Sequence, residues 1–358
     1  MHIYIHIPFC KNICSYCDFC KIYYNKKYIN NYLDALEKEI KTRYNNEFVK
    51  TIYIGGGTPT SLDYDELERL LEITNIFNKD KKLEFSIESN IEIDNEKIKL
   101  LKKYNVNRIS LGVQSFDDKI LKILNRTHNK EDVLNTIKLL KENDLSNINI
   151  DLIYGVTDNI DIIKKDIDLF LSLDIPHISC YSLIIENNTI LKINNYNNIN
   201  EEVEYDMYKY IEEKLLENNY HHYEVSNYAK KGYESIHNMC YWKNKEYYGF
   251  GLSSVSYIKN RRITNTKNID KYIKGIFIKE THIEDELEQM ENDIILGLRL
   301  IDGIDILEFE KKYNKKIKDI FNINPYLENG MLNILDNKLK INKNYIYLSN
   351  EILTNILN

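Results

Sequence analysis

The chain has 358 residues, 29% of them charged, and a formal net charge of −7. That length buries one large core or two domains, and the acidic balance excludes a general nucleic-acid surface. No stretch approaches the roughly 20 continuous apolar residues of a membrane-spanning helix. The start MHIYIHIPFC has neither a basic n-region nor a cleavage site, so no secretory signal is read and the expected location is the cytoplasm. Six cysteines, three of them needed as thiolates below, suit a reducing compartment better than a disulfide framework.

In chain order, short β-type runs are predicted at Ile3–Ile7, Thr51–Ile54, Leu83–Ile87, Arg108–Val113, Ile148–Ile153 and His177–Leu183. Helical patterns alternate with them at Tyr28–Thr42, Tyr64–Phe77, Asn95–Tyr104, Lys130–Glu142 and Ile160–Leu173. Leu67, Leu70, Leu71, Ile73 and Ile76 illustrate the helical stripe. Such alternation implies a parallel sheet with right-handed crossovers. The expected fold is therefore α/β, a partial (β/α)6 TIM-like barrel, with its active site at the C-terminal ends of the strands. Asn194–Asn200 is read as a solvated loop. From about Asp285 the pattern changes to helices at Glu286–Leu300 and Ile304–Tyr313. Strands at Lys338–Ile341 and Tyr345–Leu348 follow, then a terminal helix at Glu351–Leu357, together a small α+β, winged-helix-like domain. The expected division is a barrel over 1–200, a barrel extension over 201–284 and the C-terminal domain over 285–358.

Cys10, Cys14 and Cys17 stand at C-x3-C-x2-C on the loop after the first strand. Three thiolates can hold three irons of a [4Fe-4S] cube, leaving the fourth iron open. This arrangement resembles radical S-adenosylmethionine (SAM) proteins, in which SAM takes the open iron. The alternative is a structural zinc site with Cys20 as fourth ligand, but four ligands inside one eleven-residue loop suit a closed tetrahedron poorly. Cys20 is read as a free thiol.

Further motifs follow: YIHIPFC (Tyr4–Cys10), GGGTPT (Gly55–Thr60), IESN (Ile87–Asn90), LGVQSF (Leu111–Phe116), LNRTH (Leu124–His128), NIDLIYG (Asn149–Gly155), HISCYSL (His177–Leu183), HYEVSNYA (His222–Ala229), HNMCYW (His237–Trp242) and LGLRL (Leu296–Leu300). In this order they resemble the oxygen-independent coproporphyrinogen III oxidase family of radical SAM proteins, and within it the heme chaperone branch, HemW. The resemblance implies that Cys10, Cys14 and Cys17 ligate the cluster, flanked by Tyr4 and Tyr16. It implies SAM contacts at Gly56, Gly57, Thr58, Glu88, Gln114, Arg126 and Asp151. Glycine lets backbone approach a ligand, carboxylates suit ribose hydroxyls or a sulfonium, and arginine offers a fork of donors to a carboxylate. Alone, the glycine run would be a tight loop and each charged residue an ordinary ion pair. His128 and His177 are equally compatible with packing roles.

Two features favour the chaperone over the oxidase. Phe19 stands where the oxidases carry a fourth cysteine, and the chain begins three residues before Tyr4, without their N-terminal segment. HNMCYW matches the H-N-x-x-Y-W motif linked in the chaperone branch to heme, which implies His237 or Cys240 as iron ligand and Trp242 as a flat face for the porphyrin. The bland alternative is that His237 and Asn238 cap a turn and Trp242 fills a core. The chain departs from its relatives at Gly155–Asp158, at Ile91 after Asn90, and at Val255, where a histidine is common. The implied cofactors are a [4Fe-4S] cluster, SAM and heme. The implied partner is a heme-acceptor protein, with no nucleic acid and membrane contact only through the acceptor. Oxidative decarboxylation of coproporphyrinogen III is the alternative activity.

Overall fold

The structure is a computed structural model and describes residues 1–357. Six parallel strands form the barrel wall: β1 (His2–Ile7), β2 (Phe48–Gly56), β3 (Asn78–Ser89), β4 (Arg108–Gln114), β5 (Ile148–Tyr154) and β6 (His177–Ser182). Six further strands extend the sheet: β7 (His221–Glu224), β8 (Asn227–Ala229), β9 (Tyr247–Phe250), β10 (Val255–Ile258), β11 (Arg261–Asn265) and β12 (Ile278–Ile283). The sheet order is β12-β11-β10-β9-β1-β2-β3-β4-β5-β6-β8-β7. Only β9 joins the barrel strands in parallel, and β10 to β12 continue from it as an antiparallel meander. This is the expected partial barrel, opened at one edge and lengthened at both.

Period-two alternation decides which side chains see the barrel interior. In β1, Ile3, Ile5 and Ile7 are fully buried against the outer helices, so Tyr4 and His6 point the other way. The register then builds interior layers: Tyr4 lies opposite Tyr53, Glu88 opposite Ser110, Gly112 opposite Asp151, and Asp151 opposite Ser179. The helices between strands present apolar stripes to the sheet. Lys26–Arg43 buries Ile29, Tyr32, Leu33, Leu36 and Ile40. Tyr64–Ile73 begins with a capping box, Asp63 and Glu66 each accepting from the other's backbone N–H.

A second, smaller core holds the C-terminal domain, with Ile294, Phe309, Leu332, Leu339 and Ile352 at its centre. Its three-stranded antiparallel sheet has the order β13-β15-β14, from β13 (Ile304–Asp305), β14 (Leu332–Leu335) and β15 (Lys338–Ile341). The expected strand at Tyr345–Leu348 is instead a 3-10 helix, Lys343–Leu348. Asn342 caps it by accepting from the Asn344 N–H at 3.2 Å, and a strand cannot start from such a turn. The strand partner of β15 is Leu332–Leu335, which escaped prediction because three of its four residues are exposed and it lacks alternation. Among the described residues no helix is long and apolar enough to cross a membrane.

Candidate functional site

A cavity of about 510 Å³ runs through the barrel interior. At the C-terminal ends of the strands it is lined by Cys10, Cys14, Cys17, Gly56, Gly57 and Arg126; at its deep end it reaches Arg108, Asn149, His177, Ser235 and Asn238. Of the twelve residues expected for cluster and SAM, eleven, all except Tyr4, line this one cavity, although they come from separate strands and loops.

The cysteine loop leaves β1 and is held at its base by a short parallel pairing of Phe9–Cys10 with Ile22–Tyr23. Its middle is pinned to the LNRTH segment. The Ser15 N–H donates to Leu124 O at 3.1 Å, Asn12 Nδ2 to Asn125 O at 2.6 Å, and Asn125 Nδ2 to Ile13 O at 2.8 Å. Asn125, at a φ of 55°, was not singled out from the sequence; asparagine tolerates that left-handed turn while bonding across it. Cys20 does not line the cavity. Its thiol turns to Ser253 and the Lys267 charge, and its carbonyl accepts from His6 Nε2 at 2.7 Å. A closed four-thiol zinc site is therefore not assembled, and among the described residues no three His, Cys, Asp or Glu groups converge on a single ion. A cluster asks for less convergence, because each thiolate meets a different iron.

The surroundings of the three thiols fit that group. Burial pushes the Cys10 thiol up to about 11, so a thiolate there requires compensating positive charge of the kind iron supplies. Arg126 Nη1 donates to Cys14 Sγ at 3.2 Å, and Thr58 Oγ1 lies 3.8 Å from Cys10 Sγ. The rest of the guanidinium is engaged with Asn90 Oδ1 (3.1 Å) and the Gly112 carbonyl, leaving a buried Nε without a partner. The expected free fork for a carboxylate is thus largely spent on the wall and on Cys14.

The glycine run approaches the thiol loop closely enough to exclude side chains. Gly56 has a φ of 114°, and a Cβ there would lie 2.4 Å from the His6 ring. Its N–H donates to Glu88 Oε2 at 2.9 Å, while the Tyr53 hydroxyl donates to Glu88 Oε1 at 3.0 Å. Burial raises the Glu88 carboxyl to about 7 despite those two donors. Asp151 accepts from Ser110 Oγ (3.0 Å) and Asn149 Nδ2 (2.8 Å), and burial raises its carboxyl as well. Gln114 ends β4 at a φ of 70°, where the register slips between Gly112 and Gln114; the bulge turns its amide into the cavity. Tyr16 lines the cavity, whereas the Tyr4 hydroxyl is bonded to His6 Nδ1 at 3.0 Å and braces the loop through His6 and the Cys20 carbonyl.

The description "Radical SAM superfamily" matches residues 4–169 and "HemN C-terminal domain" residues 285–344. A heme chaperone HemW of Lactococcus lactis subsp. lactis (strain IL1403) is 38% identical, over 89% of this chain and 86% of that protein. The HemW of Bacillus subtilis (strain 168) is also 38% identical, over 89% and 88% of the two chains. The chain belongs to the HemW family of radical SAM proteins. Membership implies a [4Fe-4S] cluster and SAM. A solved structure of the coproporphyrinogen III oxidase HemN from Escherichia coli superposes with a TM-score of 0.87 at 22% identity, covering 99% of this chain and 89% of that one, and shows the shared fold.

The HemW motif at His237–Trp242 occupies an unexpected place. It forms a short helix, Ile236–Trp242, across the N-terminal ends of β1 to β3, opposite the thiols. The Glu84 carboxylate accepts from the N–H groups of Ile236 and His237, each at 2.9 Å. Ser235, as N-cap, accepts from the Asn238 N–H at 3.2 Å. Both His237 nitrogens are bonded: Nδ1 to Thr51 Oγ1 at 2.7 Å and Nε2 to the Tyr241 hydroxyl at 2.9 Å. Burial holds this imidazole down at about 3 and pushes the neighbouring Cys240 thiol up to about 12. In this arrangement neither His237 nor Cys240, the expected iron ligands, lines the cavity, and of this region only Ser235 and Asn238 reach its lining. Trp242 does not line it either. His128 is buried with Nε2 on the Val113 carbonyl at 3.1 Å, and His177 is bonded through both nitrogens to Asn149 and Tyr223. Both are wall residues.

Proposed function

We propose that this protein binds heme and passes it to an acceptor protein in the cytoplasm, from a scaffold whose cluster and SAM sites lie in the barrel. Cys10, Cys14 and Cys17 would hold the cluster, which supplies an open iron for SAM when bound. Gly56, Gly57 and Thr58 would line the backbone of the SAM amino acid. Glu88 and Asp151 would accept from its hydroxyl or ammonium groups, Gln114 would donate to it, and Arg126 would meet its carboxylate. Tyr16 would cover the thiol side. The single observation that carries the reading is the three-thiol wall without its fourth cysteine, in a chain whose relatives sharing 38% of its residues are named heme chaperones.

The test is anaerobic reconstitution followed by heme titration and mixing with a heme-free acceptor protein. Saturable heme binding and loss of heme to the acceptor support the proposal. Conversion of coproporphyrinogen III by the same sample, or no heme binding at all, refutes it.

A further inference from the structure

The His237 helix and the SAM wall are not independent. We infer that Tyr53 is a positioning residue that ties the floor helix Ile236–Trp242 to Glu88, so that the HNMCYW motif sets the geometry of the SAM site from beneath rather than presenting a metal ligand. The inference rests on the assignment of Glu88 to SAM made above.

The connection is continuous in contacts. The His237 ring stacks on the Tyr53 ring, centroids 5.2 Å apart and planes 26° off parallel. The Tyr53 hydroxyl donates to Glu88 Oε1 at 3.0 Å, and the other oxygen of that carboxylate accepts from the Gly56 N–H at 2.9 Å. His237 is itself fixed at three points, by Thr51, by Tyr241 and through its backbone by Glu84. Tyr53 stacks on its other neighbour, Tyr4, at 6.3 Å, and Tyr4 leads through His6 to the backbone of the cysteine loop. One tyrosine thereby meets the floor, the carboxylate and the strand that carries the thiols. A hydroxyl donating to a buried carboxylate both orients it and favours its charged form. The groups facing Glu88 are Tyr53 and the Gly56 N–H from β2, Asp151 from β5, and, at longer range, Tyr4 and Tyr241. Tyr53 is the one side chain among them that donates to it.

The experiment uses the full reconstituted chain and titrates SAM by the change in the cluster's absorption and by equilibrium dialysis. Tyr53→Phe keeps the ring and removes the hydroxyl; it should weaken SAM binding about tenfold at unchanged iron content. It should also move the pH midpoint of SAM binding upward, because the carboxylate loses a donor that favours ionisation. A packing defect alone would not move that midpoint. His237→Ala, which removes the stacking partner, should weaken SAM binding in the parent but add little on the Tyr53→Phe background. SAM affinity and midpoint of Tyr53→Phe equal to the parent's would overturn the inference while leaving the SAM assignment standing. Full additivity of the two substitutions would overturn the route through Tyr53. Failure of the parent itself to bind SAM would remove the assignment and the inference together.

Discussion

Gly57→Ala should cost the protein its cluster, and Gly55→Ala should not. A Cβ on Gly57 would lie 2.8 Å from the Pro8 carbonyl carbon and 2.9 Å from the Ile7 and Phe9 oxygens. All three are backbone atoms at the root of the cysteine loop, and the shortest gap falls about 0.6 Å below ordinary contact. Two ladder bonds cross the same spot, Gly57 N–H to Ile7 O at 2.8 Å and Thr58 N–H to Phe9 O at 2.9 Å. Relief therefore moves Phe9 and with it Cys10. Forced overpacking of this kind costs about 1–3 kcal/mol, enough to lower the melting temperature by a few degrees in a chain of this size. On Gly55 the added Cβ would instead meet the Glu88 carboxyl at 2.6 Å, the free end of a side chain. That carboxyl can swing away, losing Tyr53 and the Gly56 N–H but sparing the thiols. Iron per chain after anaerobic reconstitution, with SAM binding measured on the same samples, separates the two. Gly57→Ala should lose most of its iron; Gly55→Ala should keep its iron and bind SAM about tenfold more weakly. Full iron in Gly57→Ala, or equal iron loss in both, would refute the reasoning.

Cys20→Ser should retain the parent's iron content and SAM response, since its thiol faces Ser253 rather than the cavity, while Cys14→Ser should lose both; iron analysis decides. His237→Ala should leave the absorption spectrum of bound heme unchanged, because neither ring nitrogen is free to ligate, and a shifted Soret band would show that the imidazole is released on heme binding. SAM affinity should fall as pH drops through about 7, since burial holds the Glu88 carboxyl there and its charged form exists only above that value; a flat profile from pH 6 to 8 would exclude Glu88 as a contact. Glu39→Ala should destabilise the fold by about 3–5 kcal/mol in denaturant titration. It leaves Arg43, Tyr272, Asn265 and the Gly251 N–H without their shared buried acceptor.

The barrel strands were legible because they alternate inward polar with outward apolar residues and carry an unusual residue, at or near the C-terminal end for Gly56, Glu88 and Gln114 and mid-strand for Asp151. Spacing alone placed the three thiols together, since eight residues of loop cannot carry them far apart. The antiparallel meander after Tyr247 was not legible, its strands being four to six residues long and β12 exposed throughout. The floor helix shows the harder limit. A histidine followed within five residues by Tyr241 and Trp242 reads as a ligand until its partners are known, and those partners, Thr51 and Glu84, lie 186 and 153 residues away in sequence. Tyr53 was overlooked for the same reason: only the register of β1, β2 and β3 reveals that it faces both Glu88 and His237.

Heme transfer is the measurement closest to the central claim. Reconstituted protein loaded with one equivalent of heme is mixed with a heme-free acceptor, the two are separated, and heme is followed by absorption in each, with coproporphyrinogen III turnover assayed in parallel. The account predicts that heme leaves this chain for the acceptor and that no coproporphyrinogen III is consumed. Heme retained without transfer, or turnover of coproporphyrinogen III, would contradict it.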